Sequence, residues 1–288
     1  LKRGWLELTR GRRKDRHPFT PFGSGAECDM GESDSATMRG IDIFIFSGVC
    51  PAAVAVTLVA LCRQSLYPGF PSTSWVTLAL AGAGTFLVYN VDRLRDLTRD
   101  RGSSPARTAF VERNQRVLIG LCVAAALTSA LCAWSQPPWA WLLLGIAFGL
   151  GIFHRRLKGH PAFGILYVAL AWVIVVVGLP VVQGPPGSHL GADIALTAAT
   201  LGFVIAANLV GSELREAEPG PSTDTRLKTA RFLALGGLLV SWMAPDPLLP
   251  IALANLVALL FFRPSERYGL GVLDGAILAG ALIGLMMG

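Results

Sequence analysis

Charged residues are scarce in this chain. Asp, Glu, Lys and Arg make up only 15% of its 288 residues, whereas soluble globular domains average about 25%. Zinc-binding patterns are also missing, because the five cysteines form no CxxC pair and His154 and His160 lack the spacing of a zinc site. These shortages exclude an ordinary soluble domain and a zinc protein, and the cysteines are interpreted as small buried hydrophobes.

Apolar sequence, in contrast, is abundant. Hydrophobic residues make up 52% of the chain, and the mean hydropathy is +0.53. Because roughly 20 apolar residues in a helix cross a bilayer core of about 30 Å, the repeated apolar runs predict an all-α, polytopic integral membrane protein. The apolar segments lie at 41–62, 73–90, 117–135, 137–154, 163–183, 191–211, 229–244, 247–262 and 269–287.

The basic residues indicate how these nine segments are oriented. If the N-terminus is cytoplasmic, all but one of the 25 Lys and Arg residues fall on the cytoplasmic side, and only Arg63 lies outside. Cytoplasmic loops of membrane proteins are enriched in these residues. The same distribution accounts for the pI of about 9.4 without a nucleic-acid partner. We therefore predict nine transmembrane helices with the N-terminus inside, in a bacterial inner membrane.

Residues 1–40 differ from the rest of the chain. They mix basic, small and acidic residues without apolar periodicity, which predicts a disordered leader. No apolar run typical of a secretory signal precedes residue 41. Because the chain begins with Leu1 and Met38 stands just before the first apolar run, part of this leader could be a gene-start artefact. Residues 41–288 are predicted to form the membrane domain.

An acidic cluster follows the second apolar segment, in the stretch YNVDRLRDLTRD. Asp92, Asp96 and Asp100 are four residues apart, so on a continued helix they share one face, with about 40° between steps. Such carboxylates suit Mg²⁺, which binds one or two of them together with phosphate oxygens and water. The neighbouring Arg93 and Arg95 suit phosphate groups. The alternative is an ordinary cytoplasmic loop whose acids form solvated salt bridges.

The sixth apolar segment ends in a similar pattern, AANLVGSELREAEPGPSTD. Asn208 precedes Glu213, Glu216 and Asp224 here, as Asn90 precedes the first cluster. The predicted topology places both clusters on the cytoplasmic side, where two facing acidic clusters suit a pair of metal ions. Polar helix ends with alternating charges are the alternative.

Further cations are predicted on the same side. Charge-assisted hydrogen bonds would let them bind a diphosphate, although each also fits a plain topology signal; they are Arg155, Arg156, Lys158 and Arg215. Asp274, near the start of the last apolar segment, is interpreted as interfacial rather than functional, although an acid inside a membrane segment merits a test. The small residues of the stretch AILAGALIG are interpreted as marks of close helix packing.

On these features the chain resembles the UbiA family of membrane-embedded prenyltransferases. The resemblance covers residues 41–288: nine helices, acidic motifs after the second and the sixth, and a basic loop after the fourth. It implies a UbiA-like helical bundle that transfers an isoprenyl group from an isoprenyl diphosphate to an aromatic or lipid acceptor. It also implies that Mg²⁺ and the diphosphate bind at the expected catalytic residues Asp92, Asp96, Glu213 and Glu216, with Asp100 as an additional metal ligand.

Two departures from the family pattern support an alternative. The family's first motif reads Asn-Asp-x-x-Asp-x-x-x-Asp, and aligning its last two aspartates with Asp92 and Asp96 places Val88 and Tyr89 at the Asn-Asp pair. Glu also replaces Asp in the second motif. The alternative is a non-catalytic UbiA-like protein that binds an isoprenoid or lipid, or that scaffolds a partner. A secondary transporter is less favoured, because transporters place their binding groups near the membrane midplane.

Overall fold

The chain is described here by a computed structural model that covers residues 40–70, 73–102, 104–157, 161–185, 191–214 and 220–288, without the side chains of 99, 151–157 and 161–163. This part of the chain consists of helices with short connections and contains no strand. The helices are α1 over 40–46, α2 Val49–Leu66, α3 Trp75–Asp100, α4 Pro105–Arg113, α5 Gln115–Trp134, α6 Pro138–Leu157, α7 Pro161–Val176, α8 Gly178–Val182, α9 Gly191–Glu213, α10 Pro221–Ser241, α11 Leu249–Leu260 and α12 Leu273–Met287.

The predicted apolar segments correspond to helices, with three differences in detail. The first segment is divided into α1 and α2, and the fifth into α7 and α8. The short helix α4, inside the predicted loop after the second segment, was not predicted. The eighth segment is the short helix α11, preceded by a 3₁₀ turn at Asp246–Leu248. Residues 1–39 of the predicted leader lie outside the described residues.

Several helices are long and apolar enough to cross a membrane. They are Val49–Leu66, Gln115–Trp134, Gly164–Val182, Gly191–Glu213 and Tyr268–Met287, and two shorter apolar helices cover Pro138–Leu150 and Asp246–Leu260. Large apolar side chains point outward from the bundle, including Leu131 and Phe232, which are 75% and 74% exposed. Wide apolar exposure is unfavourable in water and normal toward lipid. The all-helical chain is therefore consistent with a multi-pass membrane protein, and the nine spans stay a prediction.

Helix α2 lies at the centre of the main hydrophobic core. Its Leu58, Val59 and Leu61 are fully buried in a cluster that α3, α9 and α12 also enter. Helix α3 packs against α2, α4 and α5, whereas α9 packs against α7, α10 and α11. Since α2 and α12 pack on each other and α12 also contacts α9, this pair connects the two helices that carry the acidic motifs.

The two ends of the bundle differ in chemistry. One end carries ion pairs: Arg101–Glu112, Arg107–Asp100, Arg226–Glu213 and Arg267–Asp42. At the other end amide and hydroxyl groups meet: Gln183 Nε2 donates to Thr77 Oγ1 at 2.6 Å and to Gln136 Oε1. The cation Arg63 also lies there, and it donates to the Gln183 carbonyl. The ion-paired end is the one that the charge distribution predicts to be cytoplasmic.

Candidate functional site

The first acidic motif lies on one continuous helix. Ser74 begins α3 by accepting a hydrogen bond from the Thr77 backbone N–H, and the helix runs on through the apolar run to Asp100. The helix therefore continues past the apolar part of the second segment, which is the condition on which the shared face of the three acids depends. Asp92 is exposed and Asp96 half-buried, one turn apart at the charged end.

The third carboxylate of this motif has a structural partner. Asp100 Oδ2 accepts a hydrogen bond from Arg107 Nη2 at 2.6 Å, and Arg107, on α4, is buried. The backbone N–H groups of Ala106 and Arg107, in the first turn of α4, donate in turn to the Glu266 carboxylate at 3.3 and 3.1 Å. Asp100 thus fastens α4 to α3, and it would have to release Arg107 in order to bind a metal ion.

The chain is broken between α1 and α2, directly beside this motif. Gly48 has a φ of +85°, in the left-handed region that glycine adopts without a steric penalty. Pro51 stands in the first turn of α2, where a missing N–H is tolerated. The break takes the carbonyl oxygens of Phe46 and Ser47 out of a regular helix, and in apolar surroundings such oxygens need another donor.

Helix α3 supplies both donors. Asn90 Nδ2 donates to Ser47 O at 2.8 Å, and Arg93 Nη1 donates to Phe46 O at 2.7 Å. Both side chains are buried, and the Arg93 guanidinium lies 5.7 Å from the centre of the Tyr89 ring. Arg93, which the sequence suggested as a phosphate contact, and Asn90, a polar candidate before the acidic cluster, therefore hold the helix break together. A role of Arg93 in binding a diphosphate stays a prediction.

The second motif ends α9 at the same charged end. Glu213, the last residue of α9, is exposed, and its Oε2 lies 3.8 Å from Arg226 Nη1 on α10. Asn208 is buried at 7% exposure, and its Nδ2 donates to Asp274 Oδ1 on α12 at 2.7 Å. The Asn208 Oδ1 atom is buried and makes no hydrogen bond within the described part of the chain.

Asp274 is a candidate that the sequence analysis noted but left out of the predicted site. It was interpreted as interfacial, whereas the structure places it half-buried against Asn208. A lone carboxylate in an otherwise apolar helix was the available signal, because such residues are rarely without a function.

Together these side chains form what we call the polar centre, composed of Tyr89, Asn90, Arg93, Asn208 and Asp274. Its residues stand on α3, α9 and α12, at the charged end where the two acidic motifs lie. Asn208 and Asp274 join α9 to α12, and α12 packs against α2, which packs against α3. The two motif helices are therefore connected through α2 and α12 at the charged end of the bundle.

Several predicted site residues are not part of this description. Lys158, Arg215 and Glu216 lie outside the described residues, as do the side chains of Arg155 and Arg156. Of the remaining candidates, Arg95 is exposed on α3 and Asp224 is exposed in the first turn of α10.

The donor set suits a Mg²⁺ ion that arrives together with a diphosphate. Among the described residues, no three His, Cys, Asp or Glu side chains converge as a complete metal site. Mg²⁺ commonly takes only one or two protein carboxylates and completes its shell with phosphate oxygens and water. Asp92 and Asp96, one turn apart and accessible to solvent, fit that requirement.

Comparisons with protein-family models, with curated proteins and with solved structures found no match to this chain. The resemblance to the UbiA family therefore rests on the motifs and their spacing alone. The residues themselves establish a more general picture: a helical chain with several helices of membrane length and a polar centre at its charged end.

Proposed function

We propose that the protein is a membrane prenyltransferase that moves an isoprenyl group from an isoprenyl diphosphate to an aromatic or lipid acceptor at the cytoplasmic face. The observation that supports this most is the position of the polar centre, whose residues stand on both motif helices at the charged end. The exposed Asp92 and the half-buried Asp96 lie at the same end, on α3. A diphosphate needs a charged, solvent-facing site, whereas a prenyl chain needs an apolar one. This end of the bundle offers both within one turn of α3.

The carboxylates and cations would divide the work of binding the substrate. Asp92 and Asp96 would hold Mg²⁺, which when bound neutralises charge on the leaving diphosphate. Arg95 is exposed beside them and can donate hydrogen bonds to phosphate oxygens. These residues orient the diphosphate so that its allylic carbon faces the bundle.

Aromatic residues on α3 and α7 would contact the prenyl chain of the substrate. Tyr89 on α3 and Trp172 on α7 meet edge to face, with their ring centres 6.3 Å apart. Their aromatic surface borders the polar centre and can contact the first units of a prenyl chain. The buried Asn208 Oδ1 has no donor within the described part of the chain, so a hydroxyl group of the acceptor would supply one.

Two contacts favour a non-catalytic UbiA-like protein as the second candidate. Asp100 is bound to Arg107 and Arg93 to the Phe46 carbonyl, so two residues of the first motif already serve the structure. A protein of this kind would bind an isoprenoid diphosphate or a lipid without converting it.

Prenyl transfer by the purified full chain in lipid nanodiscs tests the proposal. The assay supplies Mg²⁺, a series of radiolabelled isoprenyl diphosphates and a total lipid extract as the source of acceptor. We expect a labelled lipid product from the wild type, and a loss of about 100-fold in Asp92→Asn and Asp96→Asn, comparable to removing one charge-stabilising group from an active site. Asp246→Asn, an exposed acid at the opposite end, is the matched control.

Each other outcome has a distinct meaning. Full activity in both variants would remove the role assigned to the two carboxylates. Binding that depends on Mg²⁺ but yields no product with extracts from several sources would favour the non-catalytic candidate. No binding of any diphosphate would contradict both candidates.

A further inference from the structure

A cavity lies at the charged end of the bundle, and none of its lining residues belongs to the polar centre. Its volume is about 650 Å³, and it separates α1 from the segment that connects α11 to α12. Ile41 and Phe44 line it from α1, and Arg263, Arg267 and Tyr268 line it from the connecting segment. We call this cavity the α1 groove.

One wall of the α1 groove is apolar and open. Ile41, Phe44 and Val272 are 45%, 37% and 44% exposed, and all three line the cavity. The floor is closed, because a side chain at Gly271 would meet Ile45 Cδ1 at 2.6 Å. An open apolar wall beside lipid-facing helices suits an alkyl chain more than a water-soluble molecule.

The opposite wall carries positive charge. Arg263 is exposed and makes no hydrogen bond or ion pair within the described part of the chain. Arg267 binds Asp42 through Nε and Nη2, both at 3.1 Å, and half of its side chain remains exposed. Glu266 does not line the groove, since its carboxylate accepts the backbone N–H groups of α4. The groove therefore presents one uncompensated cation at its mouth.

The position of the groove indicates which kind of ligand could contact both the apolar wall and the basic wall. Its arginines lie at the end that the charge distribution predicts to be cytoplasmic, where anionic lipids attract basic residues. Tyr268, whose hydroxyl donates to the Ala258 carbonyl at 2.7 Å, stands at this level as aromatic residues do at membrane interfaces. A molecule with an anionic head and an alkyl tail fits such a site.

We propose that the α1 groove binds an anionic phospholipid. Its phosphate would accept hydrogen bonds from Arg263 and the exposed part of Arg267, and one acyl chain would lie along Ile41 and Phe44. The site is separate from the proposed prenyl transfer and does not depend on it.

Lipid binding to the purified full chain in detergent tests this proposal. Native mass spectrometry would compare phosphatidylglycerol with phosphatidylcholine of the same chain length. We expect a preference for phosphatidylglycerol that falls about fivefold in Arg263→Gln, which is the contribution of one basic residue near an anionic lipid. Arg113→Gln removes the same charge from an exposed position on α4 outside the groove and should leave the preference unchanged.

A second variant tests the apolar wall. Phe44→Ala should weaken binding of both lipids, because it removes contact with the acyl chain, and inorganic phosphate should not compete with the lipid. Equal binding of the two lipids by the wild type would overturn the proposal. So would an equal effect of Arg113→Gln and Arg263→Gln, or full competition by inorganic phosphate, which would indicate general surface charge or a simple anion site.

Discussion

Gly48 meets two separate requirements at the break between α1 and α2. Its φ of +85° lies where other residues are strained. A Cβ at this position would also lie 2.6 Å from Asn90 Nδ2, the atom that donates to the Ser47 carbonyl. Gly69 shares only the first requirement, because its φ is +83° and a Cβ there would meet nothing within 4 Å.

Comparing these two glycines separates the cost of backbone strain at a positive φ from the cost of displacing Asn90. We expect Gly69→Ala to destabilise the protein by about 1–2 kcal/mol, the strain of a left-handed residue. Gly48→Ala should cost about 1–3 kcal/mol more, because displacing Asn90 leaves a buried carbonyl without a donor. Thermal unfolding of both variants in the same detergent measures the difference. Equal losses would show that Asn90 does not support the break.

The role of Asn90 shows why part of the site could not be predicted. The sequence marks Asn90 as a polar candidate before an acidic motif, and α3 does carry that motif at the predicted end. However, Asn90 donates to a carbonyl 43 residues earlier in the chain. Sequence spacing within one segment carries no information about such a partner. The same holds for Asn208 and Asp274, which are 66 residues apart.

At the scale of elements, close contact between α11 and α12 depends on small residues. A Cβ at Gly280 would lie 2.6 Å from Ile251 Cα and 2.7 Å from the Pro250 carbonyl oxygen. Backbone atoms cannot move aside as a flexible side chain can. The interpretation of AILAGALIG as a packing surface is confirmed for this glycine.

Two glycines of α12 make a matched pair for testing this contact. Gly280→Ala should destabilise the protein by about 1–3 kcal/mol, as overpacking of a tight contact does. Gly275→Ala places the same methyl group where nothing lies within 4 Å and should be neutral or stabilising by about 0.5–1 kcal/mol, since alanine favours a helix. Unfolding temperatures in detergent compare the two. A loss in Gly275→Ala as large as in Gly280→Ala would contradict the packing argument.

The helices themselves could be predicted better than their interruptions. A helix satisfies its own backbone groups in lipid, so a long apolar run determines its structure locally. The break at Gly48 and the short helix α4 depend instead on side chains from other segments. Helix α4 is held by Asp100 and by Glu266, and the latter lies 160 residues further along the chain than Ala106.

At the scale of the whole molecule, the proposed function requires the charged end to face the cytoplasm. Isoprenyl diphosphates are charged and need an aqueous entrance on the side where they are made. The two ends of the bundle differ in the expected way, with ion pairs at one end and amide and hydroxyl contacts at the other. Orientation in a membrane therefore links the fold to the proposed activity.

Cysteine labelling tests both the orientation and the number of spans. Ser135, between α5 and α6, and Ser222, at the start of α10, are exposed and can each be replaced by cysteine in a Cys28→Ser background. The four other cysteines are buried and should react slowly. We expect a membrane-impermeant maleimide to label Ser135→Cys in intact cells, and to label Ser222→Cys only after permeabilisation.

The two positions were chosen because different span counts predict different results. Nine spans place three between residues 135 and 222, including α6, so the labels must fall on opposite sides. If only the helices that are long and apolar enough span the membrane, two spans lie between residues 135 and 222, namely Gly164–Val182 and Gly191–Glu213. Both labels would then fall on the same side. Labelling of both from outside would show that α6 does not span. Labelling of Ser222→Cys alone from outside would show that the protein has the opposite orientation in the membrane. Asp92 and Asp96 would then lie on the side where no isoprenyl diphosphate is supplied.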